Sequence, residues 1–173
     1  MLIDKFLPEY DFCETHGILI QAKPADIYRV ANEIDFSDSL IIRWLFRLRG
    51  MSAENLTLRG LRKFRFETLG ETLNKEMVLG LVGRFWTIGG GLKKIDAESF
   101  KRFDTTGYAK AVWNFSLDAD GSNTRLTTET RIKCLDAESR RRFGRYWMFI
   151  RPFSGLIRME ILKAIKRSAE SRN

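Results

Sequence analysis

The sequence is poor in the residues from which metal sites and disulfide frameworks are built. Its 173 residues include one histidine, His16, and two cysteines, Cys13 and Cys134. The cysteine spacing matches no zinc pattern and no disulfide framework, and the acids are scattered. We therefore predict no metal, no other cofactor and a reducing compartment, the cytoplasm.

Long apolar runs and nucleotide-binding motifs are also missing. No stretch of about 18 apolar residues occurs, so no transmembrane helix is expected. The opening residues, MLIDKFLPEYDFCE, carry acids early and do not resemble a secretory signal. Neither a glycine-rich phosphate loop nor a nucleophile elbow is present. The length and a hydrophobic content of 44% predict one globular domain over residues 1–173.

The net charge of +8 is concentrated near the end of the chain. Residues 1–139 contain 20 Lys and Arg and 20 Asp and Glu, whereas residues 140–173 contain 10 basic and two acidic residues. These charges are either solvated helix faces or a surface for an anionic membrane or a nucleic acid. A nucleic acid is disfavoured because no exposed aromatic platform accompanies the arginines. The predicted basic surface comprises Arg43, Arg47, Arg141, Arg142, Arg145, Arg151 and Arg158.

Hydrophobic periodicity predicts one strand, two short helices, several antiparallel strands and a long terminal helix. The strand alternation at 107–136 around the turn sequence DADGSN indicates a hairpin. The other predicted elements are a strand at 14–23, a helix from Pro24, a helix at 38–50, strands at 63–70 and 74–86, and a helical turn from Asp96.

The terminal helix is predicted to start after the N-cap Asp136 and to carry an apolar stripe. Pro152 lies within it and predicts a bend, either over a cavity or around a solid core. The stripe comprises Phe143, Trp147, Ile150, Ile157, Ile161 and Ile165, widened by Tyr146, Phe153 and Leu162.

Two segments carry a resemblance to a known superfamily. They are ILIQAKPADIYRVANEID near the start and LTTETRIKCLDAESRRRFGRYWMFIRPFSGLIRMEILKAIKRSAE near the end. With this order of elements, the chain resembles the START-like superfamily, also called polyketide cyclase/dehydrase, SRPBCC or Bet v 1-like, and a bacterial branch without an assigned activity. The resemblance implies an α+β helix-grip fold, in which a curved antiparallel sheet wraps around the terminal helix. It also implies that the first and last strands are neighbours, with Cys13 near Cys134 as reduced thiols.

The fold resemblance implies a cavity between sheet and helix but specifies no reaction. We predict that it binds a hydrophobic or amphipathic small molecule such as a lipid, a quinone or a polyketide-like aromatic. The alternatives are a cyclase or dehydratase acting on a similar substrate, or a protein that uses its basic surface at a membrane or RNA. The oligomeric state is left open. The predicted cavity residues are Met77, Leu79, Leu81, Trp113, Phe115, Leu126, Thr128, Tyr146, Trp147 and Ile150.

Three side chains are candidates for proton transfer. His16 shares a strand face with Ile18 and Ile20, and Tyr146 and Glu129 are the other two. Glu129 and Arg131 lie two residues apart on one strand face. They would anchor a ligand inside a cavity or form an ordinary surface pair outside it, and the alternation of Leu126 and Thr128 favours the outside.

Overall fold

The fold is described from a computed structural model, in which residues 1–35, 65–87 and 89–171 are placed. In that part of the chain, five strands form one antiparallel sheet in the order β1-β5-β4-β3-β2. The strands are β1 (Phe12–Ile20), β2 (Glu67–Thr72), β3 (Glu76–Gly83), β4 (Ala109–Asp120) and β5 (Asn123–Cys134). The helices are α1 (Pro24–Glu33), α2 (Ala97–Arg102) and α3 (Ala137–Glu170), and a 3-10 turn at Leu2–Lys5 precedes β1.

This architecture confirms the predicted α+β helix-grip fold. A single antiparallel sheet carries the long helix α3 against one face, and α1 follows the first strand as expected. The second short helix, predicted at 38–50, lies outside the described residues. None of the helices in the described ranges is long and apolar enough to cross a membrane.

The pairing of β1 with β5 confirms that the first and last strands are neighbours. Cys13 pairs with Arg131, so Cys134 lies three residues further along β5. Both thiols are free. They lie on opposite faces of the sheet, since Cys13 Sγ contacts Glu129 and Cys134 packs with Phe143. Burial raises the pKa of the Cys134 thiol to about 12, which keeps it protonated and unreactive.

Helix α3 begins at the predicted N-cap. The Asp136 side chain accepts hydrogen bonds from the backbone N–H groups of Ser139 at 2.8 Å and Gly107 at 2.6 Å. Together with the Ser139 hydroxyl, these donors lower the pKa of Asp136 to about 2. The same carboxylate therefore caps the helix and ties its start to the loop before β4. The helix continues through Pro152 to Glu170 as one element.

The inner face of the sheet is covered partly by α3, which packs on β1 and β5 and touches α1. Of the predicted stripe, Phe143, Ile161, Leu162 and Ile165 are buried. The prediction that Phe153 widens the buried stripe is wrong, because its side chain is exposed. It lies about 80° around the helix from Ile161 and about 120° from Ile165, which takes it outside the buried stripe.

The outer face of the sheet is covered by the N-terminal segment and by α2. Ile3 and Phe100 are fully buried there against Val78, Val82 and Val112. Strand β3 is therefore buried on both faces along its whole length.

A buried polar network holds the N-terminal segment to that outer face. The Glu76 carboxylate accepts hydrogen bonds from the backbone N–H groups of Leu2 at 2.6 Å and Ile3 at 3.1 Å. Arg131 donates through Nε to Glu129 Oε1 at 2.6 Å and through Nη1 to Asp4 Oδ1 at 2.8 Å. Hydrogen bonds from the terminal amine and from Arg131 lower the pKa of Asp4.

The expectation for Glu129 and Arg131 is thereby corrected. Both face away from α3, as the strand alternation favoured, but they do not form a surface pair. The segment containing Asp4 and Leu7 lies over them, and both are buried. Glu129 is thus a structural partner of Arg131 on the opposite face from any ligand site beneath α3.

We expect Arg131→Ala to lower the free energy of unfolding by about 3 kcal/mol, because it leaves the Glu129 carboxylate buried without its partner. Arg125→Ala is the matched control on the same strand. Arg125 forms an exposed ion pair with Asp120 at 3.7 Å, and its loss should cost less than about 1 kcal/mol. Urea unfolding followed by circular dichroism measures both. Equal small losses would show that the network does not hold the N-terminal segment.

Candidate ligand site between the sheet and the terminal helix

Strand register brings polar and aromatic side chains into rows across the inner face of the sheet. Glu14 on β1 pairs with Thr130 on β5, which pairs with Trp113 on β4, which pairs with Leu79 on β3. The next row contains His16, Thr128, Phe115 and Met77 in the same strand order. Because alternate residues of a strand share a face, both rows lie on the side where α3 packs.

Glu14 and His16 form a pair beneath the middle of α3. The His16 Nε2 atom lies 3.2 Å from Glu14 Oε1, although the two are not aligned as a hydrogen bond. The Glu14 side chain is only 8% exposed, whereas His16 is 22% exposed. The Glu14 carboxylate is therefore more deeply buried than the imidazole beside it.

Arg158 reaches into the same region from α3. Its Nε and Nη2 atoms donate to Thr130 Oγ1 at 3.0 and 2.5 Å, and Nη1 donates to the Ser154 carbonyl at 3.2 Å. The guanidinium carbon lies 5.6 Å from the Trp113 ring centroid, within the range of a cation–π contact. Nη1 is 3.6 Å from Glu14 Oε2, so the pair is an ion pair without a close hydrogen bond.

The sequence prediction that Arg158 belongs to the basic surface is wrong. Its side chain is only 11% exposed. The reason is visible on the helix: Arg158 lies three residues before Ile161 and four before Leu162, so it shares the buried stripe. Periodicity could have identified it, and the same holds for Glu14, two residues before His16 on the alternating face of β1.

Two atoms of this group have no hydrogen-bond partner among the described residues. They are Glu14 Oε2 and His16 Nε2, and both are buried atoms. Leaving a buried acceptor unsatisfied costs about 1–3 kcal/mol, and more for a charged group. A hydroxyl or N–H group supplied from outside the protein would satisfy the carboxylate oxygen.

Gly155 allows α3 to approach β1 at this point. A Cβ atom on Gly155 would lie 3.0 Å from Glu14 Oε1 and 3.3 Å from His16 Cε1. Few real Cβ contacts are that short, so a side chain here would displace one of the two groups. The helix is thus held directly over the Glu14–His16 pair.

The apolar residues predicted for the cavity wall divide into two groups. The seven on the sheet share the inner face with Glu14 and His16: Met77, Leu79, Leu81, Trp113, Phe115, Leu126 and Thr128. Met77, Phe115 and Leu126 also line a small recess beside α1, together with Tyr28, Ala31, Asn32 and Leu117. That recess has room for about one water molecule.

Two of the three predicted cavity residues on α3 belong to an aromatic cluster. Tyr146 and Trp147 surround the buried Phe143, with ring centroids 5.8 and 5.7 Å from it. Phe12 on β1 also packs there, 5.0 Å from Phe143. Ile150 is half-buried on the same helix. Tyr146 thus lies in the cluster around Phe143, whereas the Glu14–His16 pair lies beneath Gly155, further along α3.

Of the other residues predicted for the basic surface, four are exposed on α3. Arg141 and Arg142 are exposed and form ion pairs with Glu138. Arg145 and Arg151 are exposed on α3. Arg43 and Arg47 lie outside the described residues. Within the described ranges, no group of three or more His, Cys, Asp and Glu side chains is arranged to hold a metal ion.

Comparison with known proteins yields similarity in three dimensions at low sequence identity. No known family profile matches the sequence, and no curated protein matches it significantly. One similar solved structure is TTHA0849 from Thermus thermophilus, with 11% identity and a TM-score of 0.40 over 94% of this chain and 99% of that one. Another is Ara h 8.0201, with 13% identity and a TM-score of 0.34 over 92% of this chain and 98% of that one.

Two glycine substitutions on α3 test the close approach of the helix. Alanine is favoured over glycine in a helix by about 1 kcal/mol. At Gly144 a Cβ would make an ordinary contact of 3.5 Å with Phe12, so Gly144→Ala should raise the free energy of unfolding by roughly 0.5–1 kcal/mol. Gly155→Ala should show no such gain, because its Cβ meets Glu14 and His16.

Urea unfolding gives the stability difference, and NMR follows the imidazole of His16, the only histidine in the sequence. Its ring signals should shift in Gly155→Ala and stay unchanged in Gly144→Ala. Equal gains in stability with an unchanged His16 spectrum would contradict the close helix contact.

Proposed function

We propose that this protein binds an apolar small molecule that carries a hydroxyl group, between the inner face of the sheet and helix α3. The hydroxyl would donate a hydrogen bond to Glu14 Oε2, with His16 and Arg158 beside it. The apolar part would lie along the row that continues from Trp113 to Leu79. The observation that carries this proposal is the buried Glu14 oxygen without a hydrogen-bond partner among the described residues.

The charges of Glu14 and Arg158 are costly to bury, so their place in the interior needs a physical reason. A buried ion pair is often no more stable than apolar residues of the same volume, so it is weak support for a purely structural role. On the outer face, the Arg131 guanidinium is matched by two carboxylates and a carbonyl. On the inner face, Glu14 and His16 keep unsatisfied atoms. That contrast supports a binding role for the inner group.

The chemistry of the unsatisfied atoms narrows the ligand class. A carboxylate accepts hydrogen bonds and donates none, so it favours a hydroxyl or N–H group over an ether or a carbonyl. The aromatic side chains of Trp113 and Phe115, whose rings lie 4.9 Å apart, favour a flat apolar body. Phenols and hydroxylated polycyclic molecules combine both features.

A pair of matched probes tests this proposal. Wild-type protein should bind 2-naphthol roughly tenfold more tightly than 2-methoxynaphthalene, because a hydrogen bond to a charged group contributes about 1.5–3 kcal/mol. Glu14→Gln should lose most of this preference, since the amide oxygen is a weaker acceptor than the carboxylate. Calorimetric titration measures both affinities.

Thr15→Ala is the control for that experiment. Thr15 lies next to Glu14 on β1 but is exposed on the other face, so its loss should leave the preference intact. Circular dichroism confirms that each variant folds. Equal affinity of the wild type for both probes, or no binding of either, would overturn the proposal.

Proton transfer at the same site is a second candidate function. His16 Nε2 is a buried ring nitrogen close to a carboxylate, an arrangement that suits a general base. It would take a proton from the carbon beside a carbonyl group, and Arg158 would stabilise the enolate oxygen that forms. Of the three side chains considered for proton transfer, His16 alone belongs to the group with Glu14 and Arg158.

Deuterium exchange into 2-tetralone tests this second function. If His16 acts as a base, wild-type protein in D₂O should exchange the C1 hydrogens faster than buffer, and His16→Ala should lose most of the acceleration. Tyr146→Phe is the control, because Tyr146 lies in the cluster around Phe143 and should not affect the rate. An exchange rate equal to that of buffer, measured while 2-tetralone is bound, would leave binding as the function.

A further inference from the structure

Helix α3 exposes an apolar stripe on the side that faces away from the sheet. Met148 is 68% exposed, Phe149 74% and Leu156 55%. Phe153 and Pro152 lie between them and are also exposed. Spacings of one, four, five and eight residues from Met148 put these side chains on one side of the helix, over a length of about 12 Å. Isolated exposed apolar residues are ordinary, but a contiguous group indicates an interaction surface.

Basic side chains lie at both ends of this stripe. Arg141, Arg142 and Arg145 precede it by one to two turns, and Lys163 and Arg167 follow it; all five are exposed. Arg145, Arg151 and Arg167 form no ion pair with any residue in the described ranges. Arg141 and Arg142 share the one carboxylate of Glu138, and Lys163 pairs with Glu160 at 3.1 Å. The net positive charge therefore comes from Arg145, Arg151 and Arg167 and from the second arginine at Glu138.

We propose that this face of α3 docks on an anionic lipid bilayer. An apolar stripe flanked by arginine and lysine is the arrangement with which an amphipathic helix lies in a membrane interface. The apolar side chains would enter the boundary between headgroups and acyl chains, and the arginines would contact lipid phosphates. Each basic side chain near an anionic membrane is attracted to it, and this attraction weakens as the salt concentration rises.

A second copy of the chain fits this face less well than a membrane does. Self-association through the stripe would bring the basic ends of two copies together, and like charges at close range oppose association. An anionic surface has the opposite charge to the ends and an apolar layer for the middle. Charge complementarity therefore selects the bilayer as the occupant.

This inference rests on the outer side of α3 and does not depend on the ligand site beneath its inner side. Arg158 and Gly155 face the sheet, whereas Phe149 and Leu156 face outward. A molecule bound at Glu14 would lie under the helix that contacts the bilayer. A failure of vesicle binding would thus leave the 2-naphthol result untouched, and the reverse also holds.

Sedimentation with vesicles tests the docking face. Wild-type protein should bind vesicles of phosphatidylcholine containing about a quarter phosphatidylglycerol at least tenfold more strongly than pure phosphatidylcholine at about 0.05 M salt. The binding should weaken severalfold as the salt rises to about 0.5 M, because the Debye length shrinks. Met148→Ser combined with Phe149→Ser should reduce binding about tenfold or more by removing the apolar part.

Leu73→Ser is the matched control, because Leu73 is also 74% exposed but lies between β2 and β3, far along the chain from α3. It should bind like the wild type. Arg145→Gln with Arg151→Gln should lower binding, and Arg102→Gln with Arg125→Gln should lower it less. Circular dichroism checks that every variant is folded.

Three outcomes would overturn the proposal. The first is no preference of the wild type for anionic vesicles. The second is an equal loss in the Leu73 variant and the Met148/Phe149 variant, which would indicate unspecific adsorption. The third is a dimer, seen by sedimentation velocity without lipid, that the Met148/Phe149 variant abolishes, because a second copy would then occupy the face.

Discussion

The pairing of β1 with β5 is the constraint on which the rest of this structure depends. It joins residues 12–20 to residues 124–132, more than 100 positions apart in the chain. Because α3 follows β5 directly, the pairing places the helix over β1 and its Glu14 and His16. The segment before β1 is carried at the same time to the opposite face, where Asp4 meets Arg131. The network around Arg131 and the pair Glu14 and His16 thus both depend on one strand contact.

The buried charged side chains on the two faces of the sheet differ in how fully they are hydrogen-bonded. On the outer face, Glu76, Glu129 and Arg131 are matched by backbone and side-chain partners, so the network fastens the N-terminal segment. On the inner face, Thr130 and Ser154 satisfy Arg158, while one oxygen of Glu14 and one nitrogen of His16 are left without hydrogen bonds among the described residues. A satisfied network contributes to a unique fold, whereas unsatisfied buried polar atoms need an explanation, and the explanation proposed here for Glu14 is a bound hydroxyl group.

Helix α3 has two different sides, a buried stripe and an outward face. Its buried stripe is apolar at both ends, around Phe143 and around Ile161 and Ile165, and polar in the middle at Arg158. At Gly155 the helix lies close to β1, and the missing side chain leaves room for Glu14. The outward side carries Phe149 and Leu156 between basic ends. The turns of the helix present separate sets of residues on these two sides, so the ligand proposal and the membrane proposal concern different side chains.

Within the described ranges, the sequence by itself determined the order of the sheet strands and of the helices that follow β1 and β5. The alternation of Trp113 and Phe115 with polar neighbours defined β4, the DADGSN turn defined the hairpin, and Asp136 defined the start of α3, because these are local properties of the chain. It also placed His16 on the same face of β1 as Ile18 and Ile20. Periodicity states that a residue shares a face with others, but it does not state what covers that face.

Only the tertiary structure decided which charges are buried and against what. Arg158 was assigned to the surface from the local excess of arginine, whereas Thr130 and Glu14, distant in sequence, surround it in the fold. Glu129 and Arg131 were correctly assigned to the face away from α3, but the N-terminal segment buries them there. Phe153 was assigned to the buried stripe and is exposed. For the buried charges, the deciding contact joins residues far apart in the chain, and strand pairing, not local propensity, creates it.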